Sequence, residues 1–592
     1  MRAFLAVSVA PRHDATTPTP SVLAQLSDDD TTVDHVRTDP DGWIAFAGAD
    51  AGDDLGADAG AAFTVLLSRA GRTRRGDVST ADLAAMLAPG GDPRGLTDVL
   101  PPFAVAHRAA AGGPTVVATD WLGFRQLYWW RGDGIAAVST SARALAALAG
   151  AAFDDGGLGT QALVGWQVSD TTIFAGVRVL PPATIATLRA GQLEFRTYAE
   201  PPASDGVVPA LDDAVAEMAE ILTGFQTAYL DDHPDTVLQL TGGHDSRILL
   251  GAIPVARRNG LRALTLDSGG GPDATIAAKL SARYGIRHHV HLLDSQPLPT
   301  PAEAHRLAIA SAEALECMAS PLALAPLLLA ESHLDQGHRL SGLGGEVARG
   351  FYYAGQPAGA ATSPQLVERL AKWRLFSNEA VTADALEPGW LDEARSSTLA
   401  KLNTVIGSGD WLRATDEFYL FHRMHRWAAA HGTVAAVRRH FINPMFDRRF
   451  IELALAVAPA EKRDSLLLGR LMTHLDRELA LTPLDSGLIP AKLGRRTAAT
   501  RLATGRLTAR KAVRKIQQRL TRSRRAQFGA STMSGLVLAH WRQAPGTVEA
   551  LRSAPMLRQQ WVDGLLKGEH TAEPTTMAFL INVVAASTTA PR

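Results

Sequence analysis

The sequence predicts a mixed α/β chain in two parts. Residues 1–200 form a strand-rich α+β part. Residues 209–592 start with a doubly wound parallel sheet and end in a mostly helical stretch. Three observations predict this. Short apolar runs separated by turn-rich breaks fill the first part. The stretch from Glu200 to Val208, EPPASDGVV, has the Pro, Ala and Gly content of a linker. Beyond it, strand-length apolar runs alternate with helix-length segments, and strands separated by helices imply parallel pairing with crossovers.

In order along the chain, residues 1–7 read as a first strand. They are apolar but too short for a secretory signal, and Pro11 stops the run from lengthening. Residues 40–60 are rich in Asp, Gly and Ala and read as a loop. Strands are expected at 103–106, 115–118 and 127–130. In the second part a helix is expected over 211–229, then a strand at 236–240, a glycine turn, and a helix ending near Gly260. A strand at 263–266, a helix at 273–284 and a strand at 287–292 come next. Helices over 302–333 and a strand at 338–340 complete the alternation. From about 360 the pattern is helical. Residues 492–525 are strongly basic, with Ala509, Val513, Ile516 and Leu520 at helical spacing. This predicts an amphipathic basic helix, serving either as a solvated face or as a cradle for an acidic peptide or nucleic acid.

A chain of 592 residues is too long for one core. With 46% apolar and 20% charged residues it is an ordinary soluble composition. A formal net charge of -1 argues against a global grip on nucleic acid or anionic membrane, so neither is expected as a partner. The one cysteine, Cys317, excludes an internal disulfide and a cysteine-only metal site. It reads as a small buried apolar residue and fits a reducing, cytoplasmic setting. No apolar run reaches the length of a membrane span. His288 and His289 are strand neighbours that point to opposite faces, so structural roles are expected for them.

The chemistry concentrates in Leu240-Thr241-Gly242-Gly243-His244-Asp245-Ser246-Arg247, between an apolar run and a helical one. A strand, a glycine turn and a helix start make an anion site. The glycines let successive N–H groups converge, and the helix adds free amides and the positive end of its dipole. Thr241 and Ser246 add hydroxyls. An acid at Asp245 would repel phosphate unless it holds a Mg²⁺ that bridges to it. No Gly-Lys-Ser/Thr comes after it, so this is not a Walker loop.

The motif resembles the SGGxDS pyrophosphate loop of the ATP-pyrophosphatase superfamily. A second strand-end loop, Ser341-Gly342-Leu343-Gly344-Gly345-Glu346, resembles the SGxGxDE element of asparagine synthetase and its relatives. The segment from Leu261 to Leu293 is similar to the same family. The resemblance implies an ATP-pyrophosphatase domain that leaves AMP on an acyl group. Leu240, Leu266, Ser341 and Gly342 would touch adenosine. Thr241, Gly242, Gly243, Asp245, Ser246 and Gly344 would bind the phosphates, and Asp245 and Glu346 would hold Mg²⁺. Arg349 would contact phosphate or pair with a nearby acid. The family's adenylate-stabilising lysine would fall to Lys492 or Lys462. Relatives place Tyr or Glu where Leu343 stands, and leucine transfers no proton.

The first part resembles the family's glutaminase half, an Ntn-type α+β sandwich. Asp120 to Trp129 matches its RDxxGxRPLYY element, Ser141 its SEhKAL segment and Leu180-Pro181-Pro182-Ala183 its PPG turn. The family's nucleophile is a cysteine at position 2, where this chain has Arg2. Amide hydrolysis of that type needs the thiolate, so no ammonia would come from glutamine. The amine must then belong to the substrate. The strings Gly-Gly-x-Asp-Ser-Arg and Gly344 to Gly350 (GGEVARG) look most like lasso peptide cyclases. Those join an Asp or Glu side chain of a precursor peptide to its N-terminal amine, commonly with a separate leader-binding protein and leader peptidase. A β-lactam synthetase or other small-molecule amide ligase, and a non-catalytic peptide-binding relative, are the alternatives. Retention of Asp245 and Glu346 argues against the last.

Overall fold

The computed structural model describes residues 2–11, 17–28, 31–48, 53, 61–110, 112–203, 207–267, 272–292, 297–332, 337–500, 502–507, 509 and 529–589. It is a mixed α/β structure with two antiparallel sheets and one parallel sheet. In chain order the first strands are β1 (Ala3–Val9), β2 (Val33–Asp39), β3 (Gly42–Ala47), β4 (Phe63–Leu66), β5 (Ala104–Arg108), β6 (Thr115–Thr119), β7 (Tyr128–Gly132), β8 (Ile135–Ser139), β9 (Arg178–Val179), β10 (Thr184–Arg189) and β11 (Gln192–Thr197). One sheet has the order β2-β3-β1-β8-β7-β9 and the other β11-β10-β6-β5-β4. The expected loop at 40–60 therefore contains a strand, β3. Its run Trp43-Ile44-Ala45-Phe46 is buried and pairs with β1 on one side and β2 on the other. Local Gly and Asp content masked a strand that tertiary pairing enforces.

The two antiparallel sheets face each other. Side chains alternate along a strand. Phe4 and Ala6 of β1 and Ile44 and Phe46 of β3 thus meet Phe63, Val65, Ala104 and Val117 of the second sheet. The opposite residues, Leu5 and Val7, join the larger core instead. Helix Ala142–Ala149 packs on β7 and β8, and helix Thr80–Leu87 on β4 and β5. The layers run helix, sheet, sheet, helix.

The parallel sheet is built from β12 (Val237–Gln239), β13 (Arg262–Asp267), β14 (Arg287–Leu292), β15 (Arg339–Leu340) and β16 (Phe441–Ile442), in the order β14-β13-β12-β15-β16. Every neighbouring pair is parallel. The chain builds outward from β12 to β14, then returns to place β15 on the other side of β12. That reversal makes the crevice beyond the carboxyl ends of β12 and β15 a topological switch point, the usual ligand position in open parallel sheets.

The helices differ from expectation in two places. The helix after the glycine turn ends at Ala252, because Pro254 lacks the donor to extend it. The 302–333 stretch divides into Pro301–Ala314 and Pro321–Glu331, with Glu316 and Cys317 between them at φ of 52° and 57°. Cys317 is fully buried, as expected. His288 hydrogen-bonds Thr265 Oγ1 through Nε2 at 2.7 Å, a structural role. Of the expected basic helix, Val513, Ile516 and Leu520 lie outside the described residues. Among the described residues no helix is long and apolar enough to cross a membrane.

One hydrophobic cluster runs through both parts of the chain, from Leu5 to Phe579. The Phe124 ring packs 4.7 Å from that of Phe446. Gln126 donates to the His425 carbonyl at 2.9 Å. Glu316 pins the two parts most directly. Its carboxylate accepts from the Ser141 hydroxyl and the Arg143 amide, both at 3.0 Å, at the start of helix Ala142–Ala149. An acid at a helix N-terminus is favourable, yet burial outweighs these bonds and pushes the carboxyl from 4.5 up to about 7. A folded-state value above the unfolded one means that the native state holds the extra proton. Stability contributed here is complete below pH 4.5 and is lost as the pH rises through about 7. Glu316→Gln is expected to flatten that slope when unfolding free energy is measured by denaturant at several pH values.

Candidate functional site

The site begins with the turn after β12. Thr241 N–H donates to Ser246 Oγ at 3.1 Å, and the two hydroxyls lie 3.0 Å apart. Gly243 N–H donates to Thr241 Oγ1 at 3.2 Å. The hydroxyls thus hold the turn in shape. Helix His244–Ala252 starts with no side-chain cap, which leaves its first amides for another partner. Gly242 N–H already donates to Asp273 Oδ1 at 2.7 Å. A carboxylate therefore sits on one amide of the turn, and in the sequence Asp273 stands out only by its place at a helix start. The Gly242 carbonyl accepts from Asp485 N–H at 3.0 Å, tying the 484–488 turn to the loop.

The turn after β15 meets the first one. A Cβ on Gly342 would lie 2.8 Å from the Asp245 carbonyl carbon and 2.9 Å from Ser246 N. A Cβ on Gly345 would lie 2.3 Å from Asp245 Oδ1. Gly344 has φ of 108°, a conformation that favours glycine, with the Phe446 ring where a side chain would go. Gly344 N–H donates to Glu346 Oε2 at 3.3 Å.

Asp245 and Glu346 come together around one cation. Arg349 Nη2 stands 3.6 Å from Asp245 Oδ2 and 3.4 Å from Glu346 Oε1. Asp245 Oδ1 is buried and has no hydrogen-bond partner. Burial, and then the neighbouring Glu346 charge, raise the Asp245 carboxyl well above the usual carboxylate range, against the pull of Arg349. Two acids from separate loops, an orphaned oxygen, and a positive group held between them fit a divalent cation. No group of three or more acidic, His or Cys side chains placed to bind metal occurs among the described residues. This pair would therefore rely on phosphate oxygens and water for its other ligands.

The other expected residues differ in how close they come to the two turns. Leu240 is fully buried and its carbonyl takes the Thr265 hydroxyl at 2.6 Å. Leu266 is half-buried at the end of β13, and Ser341 is buried with its hydroxyl on Leu343 N–H. Lys492 is exposed on the short helix Pro490–Leu493. Lys462 is the opposite: fully buried, it donates to Asp416 and, at 2.9 Å, to the Ala454 carbonyl. Tyr353 OH donates to the same Asp416 oxygen at 2.6 Å.

Three neighbours have no role of their own in the sequence reading. His244 occupies the variable position of the glycine loop. Burial, with Arg349 and Arg247 nearby, pushes its imidazole down to about 3, so the ring is neutral, and its buried Nε2 has no partner. Tyr419 is buried, and burial followed by the charge of Glu346 raises its phenol. It opens the π-helical stretch Tyr419–Ala428, a rare geometry that is frequent at functional sites. Asn443, just past β16, is fully buried with both amide atoms unpartnered.

Arg2 fills its own surroundings. Its guanidinium donates to the Leu66 carbonyl and, at 3.0 Å, to Asp53. Arg125 braces the Arg2 carbonyl from below at 3.1 Å. The cavity left beside Arg2, Ser141 and Glu316 is about 30 Å³, room for roughly one water.

The chain matches no protein-family model and no curated protein.

Gly345→Ala is expected to push the Asp245 carboxylate aside, at a cost of about 1–3 kcal/mol in unfolding free energy. Gly224→Ala is the control. Its Cβ would meet nothing within 4 Å, and it should be neutral or stabilising. Urea unfolding and calorimetry check both.

Proposed function

We propose that this chain is an ATP-dependent, AMP-forming carbon–nitrogen ligase. The observation that carries the reading is the meeting of Asp245 and Glu346 across Arg349, at the switch point of a parallel sheet. That arrangement supports one nucleotide bound by two strand-end turns. The uncapped helix start at His244 would receive phosphate oxygens. Mg²⁺ held by Asp245 and Glu346 would supply charge neutralisation for the pyrophosphate. With a dication on the carboxylate pair, Arg349 is free to turn to a phosphate oxygen, where a guanidinium makes charge-assisted bonds.

In the chemistry proposed, a substrate carboxylate oxygen attacks the α-phosphorus and pyrophosphate leaves. The amine nitrogen then attacks the acyl carbon, AMP leaves, and the amine gives up a proton. Holding amine and carbonyl together is worth on the order of 7–11 kcal/mol when the geometry is good. Electrostatic stabilisation of the departing phosphate oxygens is the other large contribution. The lysine expected for that task has no strong candidate: Lys462 is committed to Asp416, and Lys492 is exposed. Arg349 is the cation that already stands at the carboxylates.

The finer reading is a lasso peptide cyclase. The carboxylate would be an Asp or Glu side chain of a precursor peptide and the amine its own N-terminus, giving a macrolactam. The arginine at position 2, tied to Asp53 and the Leu66 carbonyl, supports a substrate-borne amine, since no thiol stands there. The Ntn-type sandwich would then act as scaffold, through the core that it shares with the parallel sheet. A leader-binding protein and a leader peptidase would act beside it.

Asp245→Ala is expected to abolish ATP/pyrophosphate exchange while leaving the circular dichroism unchanged. Lys492→Ala should keep most of it. Full exchange in Asp245→Ala would show that the loop does not hold the nucleotide. With a processed precursor peptide and ATP, the product expected is the peptide less one water. AMP formed with a β-amino acid, and with no peptide, would favour the small-molecule ligase.

A further inference from the structure

A cavity of about 470 Å³ lies between the 458–466 and 493–500 segments. It falls within the range of small-ligand sites, about 300–1,000 Å³, with room for a few amino-acid residues. Its walls are apolar at Ala358, Leu412, Ala460, Leu466 and Leu493. Its charged rim carries Arg463, Arg495 and Arg496 against Asp410 and Asp464. Asp410 is spent locally, since its Oδ1 accepts from the amides of Leu412 and Arg413 at 3.1 and 3.0 Å, capping a helix. Arg496 reaches Glu461 only at 3.9 Å. Arg495 makes no ion pair among the described residues. Among the lining residues three guanidiniums face two carboxylates, so the lining keeps a net positive charge. Arg495 and Arg496 belong to a stretch, 492–525, that holds 13 Lys and Arg and no Asp or Glu.

Both long walls are tied to the two site turns. The 463–466 wall packs against Gly345–Arg349, the turn that carries Glu346. The 493–500 wall comes after the 484–488 turn, whose Asp485 amide bonds the Gly242 carbonyl. The first wall is also held rigidly. Lys462 is buried on Asp416, Arg463 donates to the Gln356 carbonyl at 3.1 Å, and Asp464 and Ser465 both take left-handed backbone, at φ of 58° and 61°. Two successive non-glycine residues in that conformation store strain, of the kind that clusters at ligand sites.

We propose that this cavity binds a short peptide segment with apolar side chains and a carboxylate, and so seats the peptide that the nucleotide crevice activates. The assignment rests on the ligase reading for its purpose, while its binding chemistry can be tested apart from it. Arg463, Arg495 and Arg496 hold the carboxylate at the rim, and the Ala and Leu walls take the apolar side chains. Three features select the occupant: a volume too small for a folded partner, walls too apolar for a phosphate backbone, and a cationic rim.

The experiment is calorimetry on the full-length protein with acetyl-Leu-Glu-Leu-amide and its Gln counterpart. The Glu peptide is expected to bind at least about tenfold tighter, the effect of one charge-assisted contact. That preference should vanish in the Arg495→Glu/Arg496→Glu variant. Both positions are exposed, and circular dichroism checks the fold. Asp245→Ala should keep peptide binding while losing MgATP. Equal binding of the two peptides by the unaltered protein, binding of neither, or a preference that survives the charge reversal overturns the proposal. Tighter binding of oligothymidylate than of the Glu peptide overturns it in favour of nucleic acid. Peptide binding without any MgATP binding would leave the cavity assigned and refute the ligase reading instead.

Discussion

The arrangement depends on a repulsion that must be balanced. Asp245 and Glu346 belong to different loops, yet both approach one guanidinium and both are largely withdrawn from water. Two carboxylates this close and this buried cost free energy unless a cation lies between them. In the structure Arg349 supplies the positive charge, and Asp245 Oδ1 is still left without a donor. A pair kept at this cost makes physical sense where a stronger cation takes over during function.

The rest of the fold delivers that pair. β12 and β15 are neighbours in space but far apart in sequence, and the strand order reverses between them. Their two exits therefore face one crevice. The approach is close enough that glycine is needed at Gly342 and Gly345, where any side chain would strike the Asp245 backbone or its carboxylate. β16 extends the same edge and places Met445 and Phe446 under the second turn, with Phe446 reaching across to Phe124 of the antiparallel part. In this way the antiparallel layers buttress a loop that they do not themselves form.

Much of this was legible in the sequence. The switch from short strands to strand–helix alternation near residue 208, and the succession of parallel strands after it, could be read from apolar spacing. The two glycine turns announced themselves by residue type. β3 was missed although Trp43, Ile44 and Phe46 are strand formers, because the Asp- and Gly-rich residues around them dominated the window; pairing on both sides fixes the strand. His244, Tyr419 and Asn443 were not legible, since their meaning comes from burial and neighbouring charge and has no counterpart in spacing. The interruption at Glu316 and Cys317 is set by contacts with a helix some 170 residues away, at Ser141 and Arg143, beyond the reach of any local window. Lys462 was readable as a lysine but not as a buried one, since its partner Asp416 and the Tyr353 that shares it come from other helices and turns.

The central claim is that two turns serve a single bound cation and nucleotide. A double-mutant cycle tests it most directly: MgATP affinity by calorimetry for the unaltered protein, Asp245→Asn, Glu346→Gln and the double variant. If both acids hold one Mg²⁺, the second substitution should add little to the first, with a coupling of at least about 1 kcal/mol, as for groups sharing a partner. Losses that simply add, or MgATP affinity unchanged in either single variant, would mean that the two carboxylates do not act on one nucleotide.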